Sequence, residues 1–358
     1  MSSALRILFL GENWYGSCAR ACCYALRRLG CSVFDIDLQT FVPSFRKKLN
    51  RALVRIVRPS IVAEYNDAVL EAAASYRPDF LLAFKAPLIL PETLEQLRGM
   101  RINLYNYFPD RIMSALGTPL EKSLPLYDCV FDTKTTWDIP KGALRLRQKV
   151  FLPHGYDSDI YRPIALSAGD RDDLGCDILY VATWSPRKER ILHELLDAMP
   201  KANLRIYGNQ WFEFCRSYLV RPHIAGPAVY ADRLAAAVCA AEVNLGIMGI
   251  TEAMADLTST RTYEIPACGG FMLHERNDEV LELFEEGKEI VCFSSIKELV
   301  EKIIYYLAHA QERQAIATGG HTRCVPAYSY DNRMAELLRW HYRVTQQSEF
   351  ASFGAATG

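Results

Sequence analysis

The stretch LTSTRTYEIPACGG, residues 257–270, sets hydroxyls, an arginine and a glutamate in front of two glycines, where an apolar helix is due to begin. Thr258, Ser259 and Thr260 lead into that helix, and a helix N-terminus offers unsatisfied N–H groups and the positive end of the dipole, which together suit a phosphate. Arg261 adds a cation that can bond an anion through two nitrogens at once. The same residues also read as an ordinary N-cap at Ser259 or Thr260, with Arg261 solvated. Glu264 lies one turn into the helix, next to Ile265 and Ala267. A carboxylate in such surroundings requires donors, and the two hydroxyls of a ribose supply them. Asp256 precedes Glu264 by eight positions, an acid–seven–acid spacing that can put one carboxylate at each end of a bound nucleotide sugar.

Other candidates sit at strand ends. FLGENWYGS carries Gly11 and Gly16 but no G-x-G-x-x-G, so a dinucleotide fingerprint is weak. YNYFPDRI puts Asn106 and Asp110 at a strand end, either facing a ligand cleft or, for Asp110, capping the next helix. His154 in LPHG is either a hinge residue near the domain crossing or a base. The 11 cysteines are odd in number and form no C-x-x-C pair. Their densest cluster, Cys18, Cys22 and Cys23, falls on a helix of small residues and suits a reduced core. No D-x-D stands in a strand-and-loop context, since residues 157–159 read as linker and 35–37 end a strand. No metal is expected.

The elements that must position these residues are long enough for two cores, since one core stops growing at about 250–300 residues and the chain has 358. Lys plus Arg number 41 against 42 Asp plus Glu, so no chain-wide field recruits nucleic acid. Strand and helix patterns alternate from LRILFLG to KVFLPHG, resume at CDILYVAT after an interrupted stretch read as a linker, residues 156–175, and end in DNRMAELLRWHYRVTQQ. The reading is α/β: two Rossmann-like domains facing each other across a cleft. Residues 1–160 form the first, with 335–358 packing back on it, and 161–334 form the second. No secretory leader or run of about 18 apolar residues appears, so a cytoplasmic protein is expected. The basic stretch 45–58 reads as a solvated helix face or as a peripheral contact with an anionic membrane.

TSTRTYEIPACGGFMLHERNDEVLELFEEGKEIVCFSSIKELVEKIIYYLAH resembles the C-terminal domain of group 1 glycosyltransferases of the GT-B fold, in particular the CgeB-like branch. VFLPHGYDSDIYRP, DILYVATWSPRKERILHELL and LRIYGNQW are similar to that family's exit from the first domain and its first two units of the second. The similarity covers about residues 128–340, and the first half matches in architecture only. The resemblance implies that Glu264 holds the ribose hydroxyls, that the loop of Thr258, Ser259 and Thr260 lies against the diphosphate, and that Arg187 or Lys188 meets the leaving group. Asp256 stands where the family has Glu, one methylene shorter. Gly208 would approach the nucleotide, Val229 and Tyr230 would frame the base, and the loop with Gly11, Glu12 and Asn13 would border the acceptor.

The implied activity is transfer of a sugar from a nucleotide diphosphate sugar to the hydroxyl of a saccharide, lipid-linked or small-molecule acceptor, without cofactor or metal. Retention of configuration follows the acid–seven–acid pattern, and inversion with Asp110 or Glu12 as base stays open. A nucleotide-sugar epimerase of the same fold and a non-catalytic two-domain binding protein are the alternatives.

Overall fold

The computed structural model describes residues 4–41, 48–111, 119–135, 144–251, 254–255 and 257–355. The chain forms two compact units, one of residues 1–153 and 330–358 and the other of 154–329. In the first, apolar runs become β1 (Arg6–Gly11), β2 (Ser32–Asp37), β3 (Phe80–Phe84), β4 (Asn103–Phe108), β5 (Cys129–Asp132) and β6 (Lys149–Phe151). They make one parallel sheet in the order β2-β1-β3-β4-β5-β6. Between them run α1 (Cys18–Arg28), α2 (Lys48–Tyr76), α3 (Pro91–Gly99) and α4 (Pro119–Ser123). The period-2 alternation of β1 shows why helices are needed on both faces. Leu8 and Leu10 pack with Tyr65, Val69 and Leu94 of α2 and α3, whereas Ile7 and Phe9 pack with Cys22 and Leu26 of α1.

The second unit repeats the pattern with α5 (Ala168–Leu174), β7 (Cys176–Val181), α6 (Pro186–Ala198), β8 (Leu204–Tyr207), α7 (Trp211–Phe214), β9 (Ile224–Gly226), α8 (Ala231–Ala240) and β10 (Ala241–Gly246). A small hairpin, β11 (Ile250–Thr251) and β12 (Met254–Ala255), precedes α9 (Thr260–Ala267), β13 (Met272–Glu275), α10 (Asp278–Leu283), β14 (Val291–Phe293), α11 (Ile296–Ala308) and α12 (Ala310–Cys324). The sheet order is β14-β13-β10-β7-β8-β9, all parallel. Strand order therefore reverses between β7 and β10. Connections leave those two strands in opposite directions, opening a crevice at their carboxyl ends where open α/β sheets take ligands. The chain closes with α13 (Tyr330–Ala355), whose Met334 and Leu337 join the α1 face of the first unit.

The two-sheet α/β expectation holds, with local corrections. Residues 156–175 are not an extended linker: Tyr156, Ile160 and Tyr161 are buried in the second unit's core, and Ser167 with Asp170 caps α5. A further helix, α12, lies between the patterned elements and carries Gly319 and Gly320 inside it. Both glycines are required by packing, since a Cβ on either would overlap the carbonyl oxygen of Lys288 or Glu289. Of the basic stretch 45–58, residues 45–47 and the side chains as far as 57 lie outside the described residues, and Arg58 is exposed. Among the described residues no helix is long and apolar enough to cross a membrane.

Candidate functional site

The α9 helix begins beside the β7/β10 reversal. Ser259 stands just before it with extended backbone, and its N–H donates to Thr262 Oγ1 at 3.1 Å while Thr262 N–H returns to Ser259 O at 3.0 Å. Ser259 and Thr262 thus close the first turn on themselves. The N–H groups of Thr260 and Arg261, the first two of the helix, have no intrahelical acceptor and remain at its positive end.

Arg261 is not a solvated surface cation. Its side chain is 20% exposed and forms an ion pair through Nη1 with Glu264 Oε2, three residues on along one helix face. Nη1 also reaches Thr260 Oγ1 at 3.3 Å. Glu264 itself is 4% exposed, so the pair stands largely out of water, where removing one partner leaves the other's charge uncompensated. No hydrogen bond or ion pair among the described residues uses Arg261 Nη2 or Glu264 Oε1. One is a donor and the other an acceptor, which are the two functions that a diphosphate and a vicinal diol call for.

Three further contacts hold this helix start and its loop. Thr258, buried, donates through Oγ1 to Glu279 Oε1 of α10, so its hydroxyl serves the fold instead of an anion. Arg187 on α6 pairs with Glu275 at the end of β13. Together the two clamp Met248, whose carbonyl accepts from Arg187 Nη1 at 2.9 Å and whose N–H donates to Glu275 Oε2 at 3.0 Å. Arg187 is therefore committed to the loop after β10, and a contact with a leaving group is the less available use of it.

The third contact is His274, fully buried on β13. Its Nδ1 lies 2.7 Å from the Glu275 carbonyl, which can only accept, so the proton sits on Nδ1; Nε2 then accepts from Thr262 Oγ1 at 3.2 Å. Burial pushes its pKa down to about 4, against the opposing pull of the Glu275 carbonyl and carboxylate. The unfolded chain binds this proton from about pH 6.5, the folded chain only near 4. The stabilisation is therefore complete above about 6.5 and is lost as pH falls from there toward 4. The loss is expected to total on the order of 3 kcal/mol. Urea unfolding midpoints across that window should fall more steeply for the parent than for His274→Gln, and parallel curves would refute the assignment.

The remaining candidates disperse. Lys188 bends its Nζ back to the Thr183 carbonyl at 3.2 Å. Gly208 answers a need of the backbone, because a Cβ there would overlap the Ala182 carbonyl oxygen. Val229 is a core residue, packed with Val181 and Leu234. Tyr230 is 43% exposed, its hydroxyl accepting from Asn209 Nδ2 at 3.4 Å. Asp256 lies outside the described residues.

In the first unit, Gly11 is the buried end of β1, and Glu12 is exposed and accepts from Trp14 Nε1 at 3.0 Å. Asn13 ties the loop to β2 through Asp35 and Asp37. Asn106 does not face an open surface: it is fully buried and donates to the Lys85 carbonyl at 3.3 Å. Asp110 pairs with Lys85, and the segment it would cap, 112–118, lies outside the described residues. His154 is buried at the first position of the second unit. Among the described residues no group of three or more His, Cys, Asp or Glu side chains is arranged to hold a metal ion.

The glycosyl transferase-like family model matches residues 187–339. The chain is 23% identical over 289 residues to the spore protein CgeB of Bacillus subtilis, covering 75% of this chain and 84% of CgeB. In structure it is similar to sucrose-phosphate synthase from Thermosynechococcus elongatus, with TM-score 0.66, 13% identity and coverage of 96% of this chain and 100% of the other. It is also similar to Anabaena HepE in complex with UDP-glucose, with TM-score 0.60, 16% identity and coverage of 94% and 99%.

Proposed function

We propose, from the premise that the chain is a GT-B glycosyltransferase of the group 1, CgeB-like kind, that its second unit binds a nucleoside diphosphate sugar at the α9 N-terminus and gives up the sugar to an acceptor hydroxyl. The observation that carries this reading is the largely buried Arg261–Glu264 pair beside the β7/β10 reversal. The N–H groups of Thr260 and Arg261, with guanidinium Nη2, take the diphosphate. Glu264 Oε1 accepts from the ribose. As the glycosidic bond breaks, negative charge grows on the diphosphate, and preorganised donors aimed at it lower the barrier.

Four carboxylates around these loops are already engaged: Glu264 by Arg261, Glu275 by Arg187, Glu279 by Thr258 and Glu189 by Trp184 Nε1. Retention of configuration is the reading that the acid–seven–acid spacing of Asp256 and Glu264 supports, with inversion by Asp110 or Glu12 as its alternative. With protein groups neutralising the diphosphate, turnover is expected to persist in EDTA. Complete loss in EDTA, restored by magnesium or manganese, would overturn metal independence.

The function is tested by following nucleoside diphosphate release across a panel of nucleotide sugars, with and without saccharide acceptors. Release stimulated by an acceptor is the expected result, and interconversion of the donor without release would assign an epimerase instead.

A further inference from the structure

Among the described residues of the second unit, two buried polar atoms without a protein partner belong to residues that line the same small cavity: Arg261 Nε on α9 and Asn244 Oδ1 on β10. The other walls, Leu179, Val181, Leu234, Val238, Leu245 and Ile265, are aliphatic. The orientation of the Asn244 amide is not arbitrary. Its Nδ2 donates to the Val238 and Phe271 carbonyls at 3.4 and 3.2 Å, so a flip would set oxygen against two oxygens. Oδ1 is therefore the acceptor left without a partner on one residue of the cavity wall, and Arg261 Nε–H the donor left without one on another. The space open to the centre of a water-sized sphere is about 10 Å³, room for one water, and a water needs two or more polar partners to be held.

We propose that a single buried water occupies this cavity, accepting from Arg261 Nε–H and donating to Asn244 Oδ1, and that Asn244 is through it a positioning residue for Arg261. The guanidinium is then fixed from two sides, by Glu264 at Nη1 and by β10 through the water at Nε, which leaves Nη2 as the nitrogen directed to a ligand. The water follows from the cavity and the orphaned pair alone, while the effect on turnover rests on the diphosphate role given to Arg261 above.

A crystal structure of the full chain at about 1.5 Å resolution tests the first part. The expected result is an ordered water within hydrogen-bond distance of both Asn244 Oδ1 and Arg261 Nε, and a dry or collapsed cavity would overturn it. The second part is tested with Asn244→Leu, using UDP-glucose, or whichever sugar nucleotide the parent turns over best, as the probe. Turnover should fall by roughly tenfold with KM nearly unchanged, and the same substitution in an Arg261→Ala background should have no further effect, because coupled residues are not additive. An equal fall in both backgrounds would mark Asn244 as merely structural. If Asn244→Leu does not fold, Asn244→Ala, which also removes the Oδ1 acceptor, provides the same comparison in the two backgrounds. A parent that turns over no sugar nucleotide would refute the transfer reading, and the density would still decide the water.

Discussion

Replacing Arg261 with alanine is expected to lower the rate of nucleoside diphosphate release by on the order of 10²–10³-fold, the usual cost of removing one preorganised transition-state donor. Charge on the departing diphosphate increases along the reaction coordinate, so a cation fixed against it binds the transition state more tightly than the bound donor. Turnover should fall far more than donor affinity. Arg261→Lys should recover only part of the rate, because an ammonium on a flexible stem reproduces neither the fork nor its bond to Glu264. A solvated arginine would cost almost nothing, and Arg261 is 20% exposed and paired. Parental turnover in Arg261→Ala would reduce the helix start to a fold element.

Glu264→Ala is expected to weaken donor affinity by about 1–3 kcal/mol, the scale for losing hydrogen bonds to a charged group. Because Glu264 Oε2 also anchors Arg261, the loss cannot be confined to binding: the freed guanidinium should lower turnover as well. The two substitutions should then couple in a double-mutant cycle by roughly 0.5–3 kcal/mol, as contacting residues do. Glu264→Gln should be milder, since its amide oxygen still accepts one of the two bonds. Equal donor affinity in Glu264→Ala and the parent would end the ribose assignment, and strict additivity would dissolve the pair as a unit.

The fold was legible in the sequence wherever an apolar run was bounded by turn residues, because burial on both faces of a parallel strand leaves that mark. It was illegible where packing overrode local signals. Gly319 and Gly320 look like a break yet lie inside α12, since close backbone approach demanded the missing Cβ. Residues 156–175 look like a linker because charges surround Tyr156, Ile160, Tyr161 and Leu174, the four that carry the packing.

The site divides in the same way. Arg261 and Glu264 were visible as chemistry, and their spacing of three along a helix was the available signal that they pair. Glu275, Glu279 and His274 were not visible, because each meets its partner across a strand or helix boundary and no periodicity links Arg187 to Glu275 or Thr258 to Glu279. Val229 and Gly208, which the family resemblance assigns to a ligand, also serve the fold, one in a hydrophobic core and the other against the Ala182 carbonyl oxygen.

The most direct test of the donor site at α9 is calorimetric titration of UDP, together with a panel of other nucleoside diphosphates, into the parent and into Glu264→Ala with Arg261→Ala. The account predicts saturable binding of at least one nucleoside diphosphate to the parent, weakened at least tenfold in the double variant while unfolding curves show it remains folded. Binding of that diphosphate with equal affinity to both proteins, or of none to the parent, would contradict the claim.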